Sequence, residues 1–424
     1  MRIATHTLGC KLNFAETSHI TRQFVQAGHE VVDFRQKADL YVVNTCTVTA
    51  VAEKKCRNAI RQAAKNNPDA IVAVIGCFAQ NAAAEVEKIP GVTLVLGNSH
   101  KHKLFHIVQE MQKTQPACER HVDDVPSEFA LAYSSGDRTR TFFKIQDGCD
   151  YFCTYCAIPF ARGRSRCATI KETVAMANEI AQTGAKEVVL TGVNTGTFGL
   201  HTGESFMDLV KELDRVEGIE RYRISSIEPN LLTDEIIDFV ASSRKFAHHF
   251  HIPLQAGSDK VLQLMRRRYD TAFYAEKLRR IKETMPEACL AADLMVGFYG
   301  ETSEEFAKAC DFIESLPISY LHVFTYSERP NTAALKMEGK VPVQERHKRN
   351  AIMQEISERK KHQFYMENLG RTEKVLWESN ETNGEMHGFT GNYIRLHASY
   401  DSSRVNTLEA LVLSQENVVE ETPE

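Results

Sequence analysis

The stretch Gly148-Cys149-Asp150-Tyr151-Phe152-Cys153-Thr154-Tyr155-Cys156 has the most informative spacing in this 424-residue chain. Its cysteines have the spacing C-x3-C-x2-C and follow a predicted strand, Thr141–Gln146. A structural zinc site takes four protein ligands, and the next cysteine, Cys167, lies eleven residues further on. A [4Fe–4S] cluster takes up to four thiolates, so three of them leave one iron open for another ligand. The spacing therefore favours an iron–sulfur cluster over zinc.

Around this motif the chain alternates strand-like and helical segments. The predicted strands are Thr141–Gln146, Glu187–Gly192, Tyr222–Glu228, His248–Gln255, Leu290–Gly297 and Ile318–Tyr326. A helical stretch follows each of the first five strands. Six such units predict an open, partial (β/α)6 barrel, because a full barrel has eight. Loops after barrel strands form the functional face, and the cysteine motif lies on one of them.

The first 115 residues alternate in a similar way and predict a doubly wound, mostly parallel α/β sheet. The predicted strands are Arg2–Gly9, Glu30–Phe34, Leu40–Thr45, Ile71–Gly76 and Val92–Gly97, and the predicted helices are Asn13–Ala27, Thr49–Asn67, Ala79–Lys88 and Lys103–Gln112. Cys10, Cys46 and Cys77 each follow a strand. Since the carboxyl ends of parallel strands share one rim, these three can converge. The alternative is three buried cysteines that only fill space.

The remaining segments complete the domain organisation. We expect an N-terminal domain at 1–115, a polar linker at 116–138, the barrel at 139–341, one long helix at 342–369 and a small β-barrel at 370–424. Pro342 and Gly370 flank the helix in the usual way. In the last domain the predicted strands are Thr372–Glu378, His387–Leu396 and Leu408–Leu413, with a hairpin signal at Asn383-Gly384 and a frayed tail over Glu416–Glu424.

The composition excludes several classes of protein. Hydrophobic residues make up 43%, charged residues 25%, and the net charge is −5, which excludes wholesale disorder and a globally basic protein. We expect no signal peptide, no membrane association and a cytoplasmic location, because no apolar run is long enough to span a bilayer. Eleven cysteines are too few for a disulfide scaffold and favour metal binding or catalysis. Five are expected to be structural: Cys56, Cys118, Cys167, Cys289 and Cys310.

The first motif resembles that of the radical S-adenosylmethionine (SAM) superfamily, C-x3-C-x-aromatic-C, with Tyr155 as the aromatic residue. The resemblance implies that Cys149, Cys153 and Cys156 hold a catalytic [4Fe–4S] cluster whose open iron binds SAM. One electron then cleaves SAM to methionine and a 5′-deoxyadenosyl radical. The electron comes from an external, flavodoxin- or ferredoxin-like donor.

The whole chain resembles the methylthiotransferases within that superfamily. The words Leu8-Gly9-Cys10-Lys11-Leu12-Asn13, Asn44-Thr45-Cys46-Thr47-Val48-Thr49 and Gly76-Cys77-Phe78-Ala79-Gln80 are similar to the family's N-terminal cysteine motifs. The resemblance implies that Cys10, Cys46 and Cys77 hold a second [4Fe–4S] cluster. It also implies that the C-terminal module is a TRAM domain, an RNA-binding β-barrel.

These words, with Cys153-Thr154-Tyr155-Cys156-Ala157-Ile158-Pro159-Phe160-Ala161-Arg162-Gly163-Arg164, look most like one branch of the family. That branch adds CH3S at C2 of N6-threonylcarbamoyladenosine at position 37 of tRNA, so the implied partner is a tRNA anticodon stem-loop and not DNA. The alternatives are the same reaction on N6-isopentenyladenosine or on an aspartate of ribosomal protein S12. A non-catalytic iron–sulfur redox protein, and a radical SAM enzyme whose second cluster relays electrons, also stay open.

Other strand ends supply candidates for binding SAM. They are Gly192, Asn194, Ser226, Glu228, Gln255, Gly297 and Phe298, in addition to Tyr155. Glu228 could accept hydrogen bonds from ribose, and Asp293 faces the barrel interior or is an ordinary buried carboxylate. Each of the others has ordinary loop chemistry as its alternative. In Gly297-Phe298-Tyr299-Gly300-Glu301, tyrosine replaces the family's usual proline, which predicts a looser loop with surviving backbone contacts.

The predicted RNA surface rests on clustered basic residues, which phosphate contacts require. Around the loop of the motif these are Arg138, Arg140, Arg162, Arg164 and Arg166, and near another strand-end loop they are Arg266, Arg267 and Arg268. The long helix adds Arg346, Lys348, Arg349, Arg359, Lys360 and Lys361. A run of charge is more often a solvated face. In the acidic C-terminal module, RNA binding would use stacking on Phe389 or Tyr393.

Overall fold

The N-terminal region is a parallel sheet covered on both faces. The computed structural model describes residues 1–114, 118–136 and 138–419. The first strands are β1 (Arg2–Thr7), β2 (Glu30–Val31), β3 (Leu40–Thr45), β4 (Ile71–Gly76), β5 (Leu94–Leu96) and β6 (Glu119–His121). The first helices are α1 (Lys11–Gln26), α2 (Ala50–Asn66), α3 (Cys77–Asn81), α4 (Ala83–Val86) and α5 (Leu104–Thr114). The strand order is β2-β1-β3-β4-β5-β6, and every neighbouring pair is parallel.

Alternation along the central strand explains the two covered faces. Leu40 and Val42 of β3 pack into a core with Ile20 of α1, whereas Tyr41 and Val43 pack into another with residues of α2. Successive side chains of a strand point to opposite faces, so a strand buried on both sides is apolar throughout. The predicted parallel sheet is therefore present.

Three local predictions in this region were wrong. The strand predicted over Glu30–Phe34 is only Glu30–Val31, and the helix predicted over Ala79–Lys88 is two short helices separated at Ala82, whose φ of −136° is not helical. The segment predicted as a linker contains β6, which is too polar in sequence to be recognised as a strand and pairs at the sheet edge.

The central region contains the six predicted parallel strands in two sheets. Its strands are β7 (Ala132–Tyr133), β8 (Thr141–Lys144), β9 (Gln146–Asp147), β10 (Arg166–Cys167), β11 (Glu187–Thr191), β12 (Arg221–Ile224), β13 (His249–His251), β14 (Cys289–Val296) and β15 (Tyr320–Thr325). One sheet has the order β12-β11-β8-β7 and the other β13-β14-β15. All of these pairs are parallel except β7–β8, and β7 also lies within the predicted linker.

The helices of this region cover the two sheets and share one core with them. They are α6 (Ile158–Arg162), α7 (Ile170–Gln182), α8 (Phe206–Asp214), α9 (Asp234–Ser242), α10 (Asp259–Leu264), α11 (Thr271–Thr284) and α12 (Ser303–Ser315). The long predicted helix is α13 (Val343–Asn368) and packs against β15. In the described part of the chain, no helix is both long and apolar enough to cross a bilayer.

The C-terminal region is a curled antiparallel sheet around the fully buried Trp377. Its strands are β16 (Thr372–Thr382), β17 (Glu385–Phe389), β18 (Arg395–Ser399) and β19 (Leu408–Val412), in the order β18-β17-β16-β19. The single strand predicted over His387–Leu396 was wrong. A turn breaks it where Tyr393 has a positive φ of 66° and the Thr390 N–H donates to the Ile394 carbonyl at 3.0 Å.

The predicted frayed tail divides into two parts. Val418 is buried and forms an isolated bridge with Leu396, so the ordered structure continues past Glu416. Residues 420–424 lie outside the described residues.

The C-terminal sheet is attached to the central region by charged hydrogen bonds. Glu187 of β11 pairs with Arg221 at 3.0 Å and with Arg223 at 2.9 Å, and these arginines also donate to backbone carbonyls of the C-terminal sheet. Burial opposes ionisation, but the two guanidinium charges outweigh it and lower the pKa of Glu187 to about 2.

Candidate active site

The first cysteine triplet (Cys149, Cys153 and Cys156) lies on one loop between β9 and α6. The loop begins at Gly148, whose φ is +72°; a Cβ there would lie 2.0 Å from the Arg164 carbonyl oxygen, so only glycine fits. The Cys156 N–H donates to the Cys153 carbonyl at 3.0 Å. Thr154 donates to the carbonyls of Leu264, the last residue of α10, and of Met265, which follows it. Local backbone contacts therefore hold the three thiols together.

Burial shapes the chemistry of these thiols. It raises the pKa of Cys149 to about 11 and that of Cys156 to about 12, and the neighbouring cysteines contribute to both shifts. The guanidinium of Arg267 lies 3.2 Å from the Cys153 sulfur and is itself ion-paired with Glu228. A cation with sufficient affinity for sulfur is needed to keep these groups as thiolates, which fits an iron–sulfur cluster.

The second triplet (Cys10, Cys46 and Cys77) forms where three neighbouring strands end. The register pairs Thr7 of β1 with Asn44 of β3, and Thr45 of β3 with Gly76 of β4, so the residues that follow lie on one rim. A Cβ on Gly9 would lie 3.0 Å from the Cys46 sulfur, which shows how closely the first loop approaches the second.

Burial raises the pKa of Cys46 to about 12, with Cys77 and Cys10 both contributing. The structure therefore brings the three dispersed cysteines within electrostatic range of one another. Cys56, which was predicted to be structural, accepts a hydrogen bond at its sulfur from the Cys46 N–H at 3.4 Å and fixes the backbone there.

Neither triplet has the geometry of a site for one metal ion. Across residues 1–114, 118–136 and 138–419, no three His, Cys, Asp or Glu side chains are placed to hold a single ion. A [4Fe–4S] cluster instead spreads its thiolates over different iron atoms. Each triplet supplies three thiols on a partly enclosed surface, and this donor set fits such a cluster.

A cavity of about 260 Å³ lies beside the first triplet. Tyr155, Cys156 and Gln255 line it, together with Asp293, whose carboxylate lies 3.0 Å from the His251 ring. Val48 and Thr49, which follow Cys46, line the same cavity. The space is therefore shared between the central region and the N-terminal region.

Most of the other residues predicted to bind SAM lie outside this cavity. Asn194 is buried and neither atom of its amide has a hydrogen-bond partner, as expected of a group that awaits a ligand. Glu228 is engaged by Arg267. Only Tyr155 and Gln255 of the eight predicted residues line the 260 Å³ cavity; the six that do not are Gly192, Asn194, Ser226, Glu228, Gly297 and Phe298. Phe298 is fully buried and packs edge-on against Tyr155, so it positions that ring.

Family models match both regions of the chain. The model described as "Uncharacterized protein family UPF0004" matches residues 2–97, and the Radical SAM superfamily model matches residues 143–313. The chain is 40% identical over 407 residues to the threonylcarbamoyladenosine tRNA methylthiotransferase MtaB of Bacillus subtilis, with 93% of this chain and 89% of that protein covered.

The chain belongs to the tRNA methylthiotransferase family.

Other relatives lie within the same family. The MtaB protein of Aquifex aeolicus is 38% identical, with 89% of this chain and 92% of that protein covered. A tRNA-2-methylthio-N(6)-dimethylallyladenosine synthase of Syntrophus aciditrophicus is 31% identical, with 89% and 83% covered. In fold, the chain is similar to the radical S-adenosylmethionine methyltransferase TsrM of Kitasatospora setae, with a TM-score of 0.57, 16% identity, and 78% and 76% of the two chains covered.

A buried network joins the two triplets of this methylthiotransferase family member. Arg162, at the end of α6, donates to Asn13 at 2.5 Å and to Asp147 at 2.8 Å, and lies 3.3 Å from Glu16. Lys101 and Lys144 approach Glu16 at 2.5 and 2.7 Å. Burial alone would raise the pKa of Glu16, but the three cations outweigh it and lower that pKa. The loop of the first triplet is thereby fixed to α1, which follows Cys10.

The network corrects the prediction for Arg162, which was expected to contact RNA phosphate but is buried. The same prediction was wrong for three other arginines, because each guanidinium group is buried in an ion pair. The pairs are Arg267 with Glu228, Arg346 with Glu328, and Arg349 with Glu301. Sequence shows charge but not which charges find a buried partner.

Among the other residues predicted to contact RNA, the arginines Arg164 and Arg138 are accessible, whereas Tyr393 is not. Arg164 has a side chain that is 68% exposed, and Arg138 is exposed and lies over the Phe14 ring. Tyr393 is largely buried beside Arg140 and His249, so it is not a free stacking platform. Tyr299 is buried and donates to Glu328 at 3.1 Å, so the loop in which it replaces proline is anchored.

Proposed function

We propose that the chain is a radical SAM methylthiotransferase that inserts CH3S at C2 of N6-threonylcarbamoyladenosine at position 37 of tRNA. The observation that carries the proposal is the 33–40% identity, over most of the chain, with relatives named for this activity. The grouping of the six cysteines into two triplets supports it, as does a cavity lined by Cys156 and by Val48 and Thr49, which follow Cys46. The product is the 2-methylthio derivative of the same nucleoside.

Each triplet has a separate role in this proposal. Cys149, Cys153 and Cys156 hold the cluster that binds SAM, and Cys10, Cys46 and Cys77 hold the second cluster. When bound, the two [4Fe–4S] clusters and SAM supply the electron, the radical and the methylthio group. A flavodoxin- or ferredoxin-like partner delivers the electron, and the tRNA substrate places the enzyme in the cytoplasm.

The chain's own residues bind, orient and exclude water. Arg267 donates to the Cys153 sulfur and offsets the negative charge that thiolates bring into a buried loop. Gln255 presents its amide to the cavity, and the buried Asn194 amide, which lies outside the cavity lining, is a second candidate for binding SAM. The Tyr155 ring lines the cavity and is held from behind by Phe298. Unpaired bases of an anticodon loop enter such a site without the cost of opening a duplex.

The proposal extends to the fold. The six parallel strands form a partial (β/α)6 barrel, and the C-terminal sheet is a TRAM-like RNA-binding module. The proposed domains are 1–115, 139–341 and 370–424, with α13 between the last two. The segment at 116–138 connects the first two domains and adds one edge strand to each, β6 to the N-terminal sheet and β7 to the sheet that contains β8. The four-stranded antiparallel sheet of the last domain supports this assignment.

Nucleoside mass spectrometry of total tRNA tests the function. A strain lacking the protein should lose 2-methylthio-N6-threonylcarbamoyladenosine and accumulate the unthiolated nucleoside. Loss of methylthio-isopentenyladenosine instead would identify the alternative substrate, and unchanged nucleosides would point to S12. SAM-dependent release of 5′-deoxyadenosine by the purified protein separates all of these from a redox carrier.

A further inference from the structure

A second cavity, of about 470 Å³, lies between the three regions of the chain. Gly9, Cys10 and Lys11 line it from the N-terminal sheet, Arg223 and His249 from the barrel, and Tyr393 from the C-terminal sheet. It therefore opens beside the second triplet and away from the loop of the first.

The lining of this cavity is one-sided in charge. Four basic residues line it, namely Lys11, Arg138, Arg140 and Arg223, and no aspartate or glutamate does. Arg223 is balanced by Glu187, and Arg140 by Glu378. Among the described residues, Lys11 and Arg138 form no ion pair with a carboxylate, and Arg138 lies over the Phe14 and Phe142 rings. Asp293 attracts Lys11 without forming an ion pair, and Arg138 is exposed. Neither cation is therefore held in a direct ion pair, and both are available to an anionic ligand.

His249 is a second, independent sign of a missing ligand. Its side chain is only 5% exposed, lines the cavity, and has no hydrogen-bond partner at either ring nitrogen. Its ring centroid lies 4.8 Å from that of Tyr393. A buried imidazole without partners costs free energy unless a ligand completes it.

We propose that this cavity is the subsite for the carboxylate of the N6-threonylcarbamoyl group, with Lys11 and Arg138 supplying the charge and His249 a ring N–H. The inference rests on the proposed function. C2 and C6 of adenine are both bonded to N1, so a base whose C2 approaches the Cys10 side keeps its N6 substituent close by. An isopentenyl group is neutral and apolar, and would leave both cations unpaired.

A phosphate of the RNA backbone shares this anionic chemistry, so the test must separate the two sources. The probes are three anticodon stem-loops that differ only at position 37. They carry N6-threonylcarbamoyladenosine, its neutral threoninamide analogue, or plain adenosine. Binding to the anaerobic holoenzyme is measured by fluorescence anisotropy at one fixed salt concentration, because phosphate contacts depend on salt.

The wild-type chain should bind the carboxylate stem-loop about tenfold more tightly than the amide, which corresponds to about 1.4 kcal/mol. Lys11→Met and Arg138→Met should each remove most of that preference, while Lys11→Arg and Arg138→Lys retain it. Lys65→Met and Arg61→Met change exposed residues of α2 outside the cavity and serve as matched controls. They should keep the full preference.

Equal binding of the carboxylate and amide probes by the wild-type chain would overturn the subsite. So would equal weakening of all three probes in the two methionine variants, because that pattern means a phosphate contact. Product analysis with threonylcarbamoylated tRNA separates this inference from the function itself. Product without a carboxylate preference removes only the subsite, whereas a preference without product removes only the proposed reaction.

Discussion

The two cysteine triplets bring three thiols together by opposite structural routes. Cys149, Cys153 and Cys156 share one loop, which is held by backbone hydrogen bonds within it and by Thr154 at the end of α10. Cys10, Cys46 and Cys77 come from three strand ends and depend on the register between β1, β3 and β4. The first site is a property of a loop, whereas the second is a property of the whole sheet.

The comparison predicts that the sites can be lost separately. Cys156→Ala should abolish both 5′-deoxyadenosine and the methylthio product, because the proposed SAM-binding cluster loses a ligand. Cys77→Ala should abolish the methylthio product but retain cleavage of SAM. Chromatography of both products, together with iron analysis, checks this; each variant should keep the iron of one cluster.

Cys310→Ala, on α12, is the matched control and should keep both clusters. Loss of SAM cleavage in Cys77→Ala would show that the two sites are not independent and would break the comparison.

Substitution of one glycine beside each triplet tests whether the backbone of each site can be disturbed separately. Gly148→Ala places a Cβ 2.0 Å from the Arg164 carbonyl oxygen, and Gly76→Ala places one 2.4 Å from Asn44 Oδ1. The first should reduce SAM cleavage severely. The second should reduce methylthio product while SAM cleavage continues.

Gly184→Ala also has a positive φ, of +80°, but meets nothing within 4 Å. It measures the backbone cost alone, about 1–2 kcal/mol, and should leave both products unchanged. If Gly76→Ala left both products unchanged, as Gly184→Ala should, the close packing of Gly76 against Asn44 would not be required for activity.

The two triplets also differ in how directly the sequence predicts them. The spacing of the first triplet was visible directly, and apolar runs located the strands that carry Cys46 and Cys77. The β6 strand and the roles of Arg162 and Arg267 were not visible. Polar edge strands lack an apolar pattern, and a buried ion pair such as Arg162 with Glu16 joins residues far apart in sequence.

Substitution of Arg162 tests whether the buried network between the two triplets stabilises the fold. Arg162→Met leaves Glu16 and Asp147 buried with fewer partners, and we expect a loss of about 3–5 kcal/mol in the free energy of unfolding. Urea unfolding measures it. Arg164→Met, at a largely exposed position, should change it by less than about 0.5 kcal/mol. Equal effects in the two variants would contradict a structural role for the network.

Glu187 provides a reference region that contacts neither triplet. Its folded-state pKa of about 2 lies below the ordinary value of 4.5, so its charge stabilises the folded chain at neutral pH. That contribution, about 3 kcal/mol, is lost as the pH falls from about 4.5 towards 2. The gap in unfolding free energy between wild type and Glu187→Gln should therefore narrow between pH 6 and pH 3.

Glu235→Gln, at an exposed position, should show no such narrowing. Iron content at neutral pH should be unchanged in Glu187→Gln. Iron loss from either triplet would mean that the C-terminal interface is coupled to the cluster sites.

The pairing of Glu16 with Lys101, Lys144 and Arg162 limits how these residues can change during evolution. These four residues come from separate segments, and a change in any one leaves buried charge behind. Across descendants of this chain they should therefore change together or not at all. A hybrid that combines the N-terminal region of one relative with the central region of another should assemble only when both parents carry matching residues at all four positions.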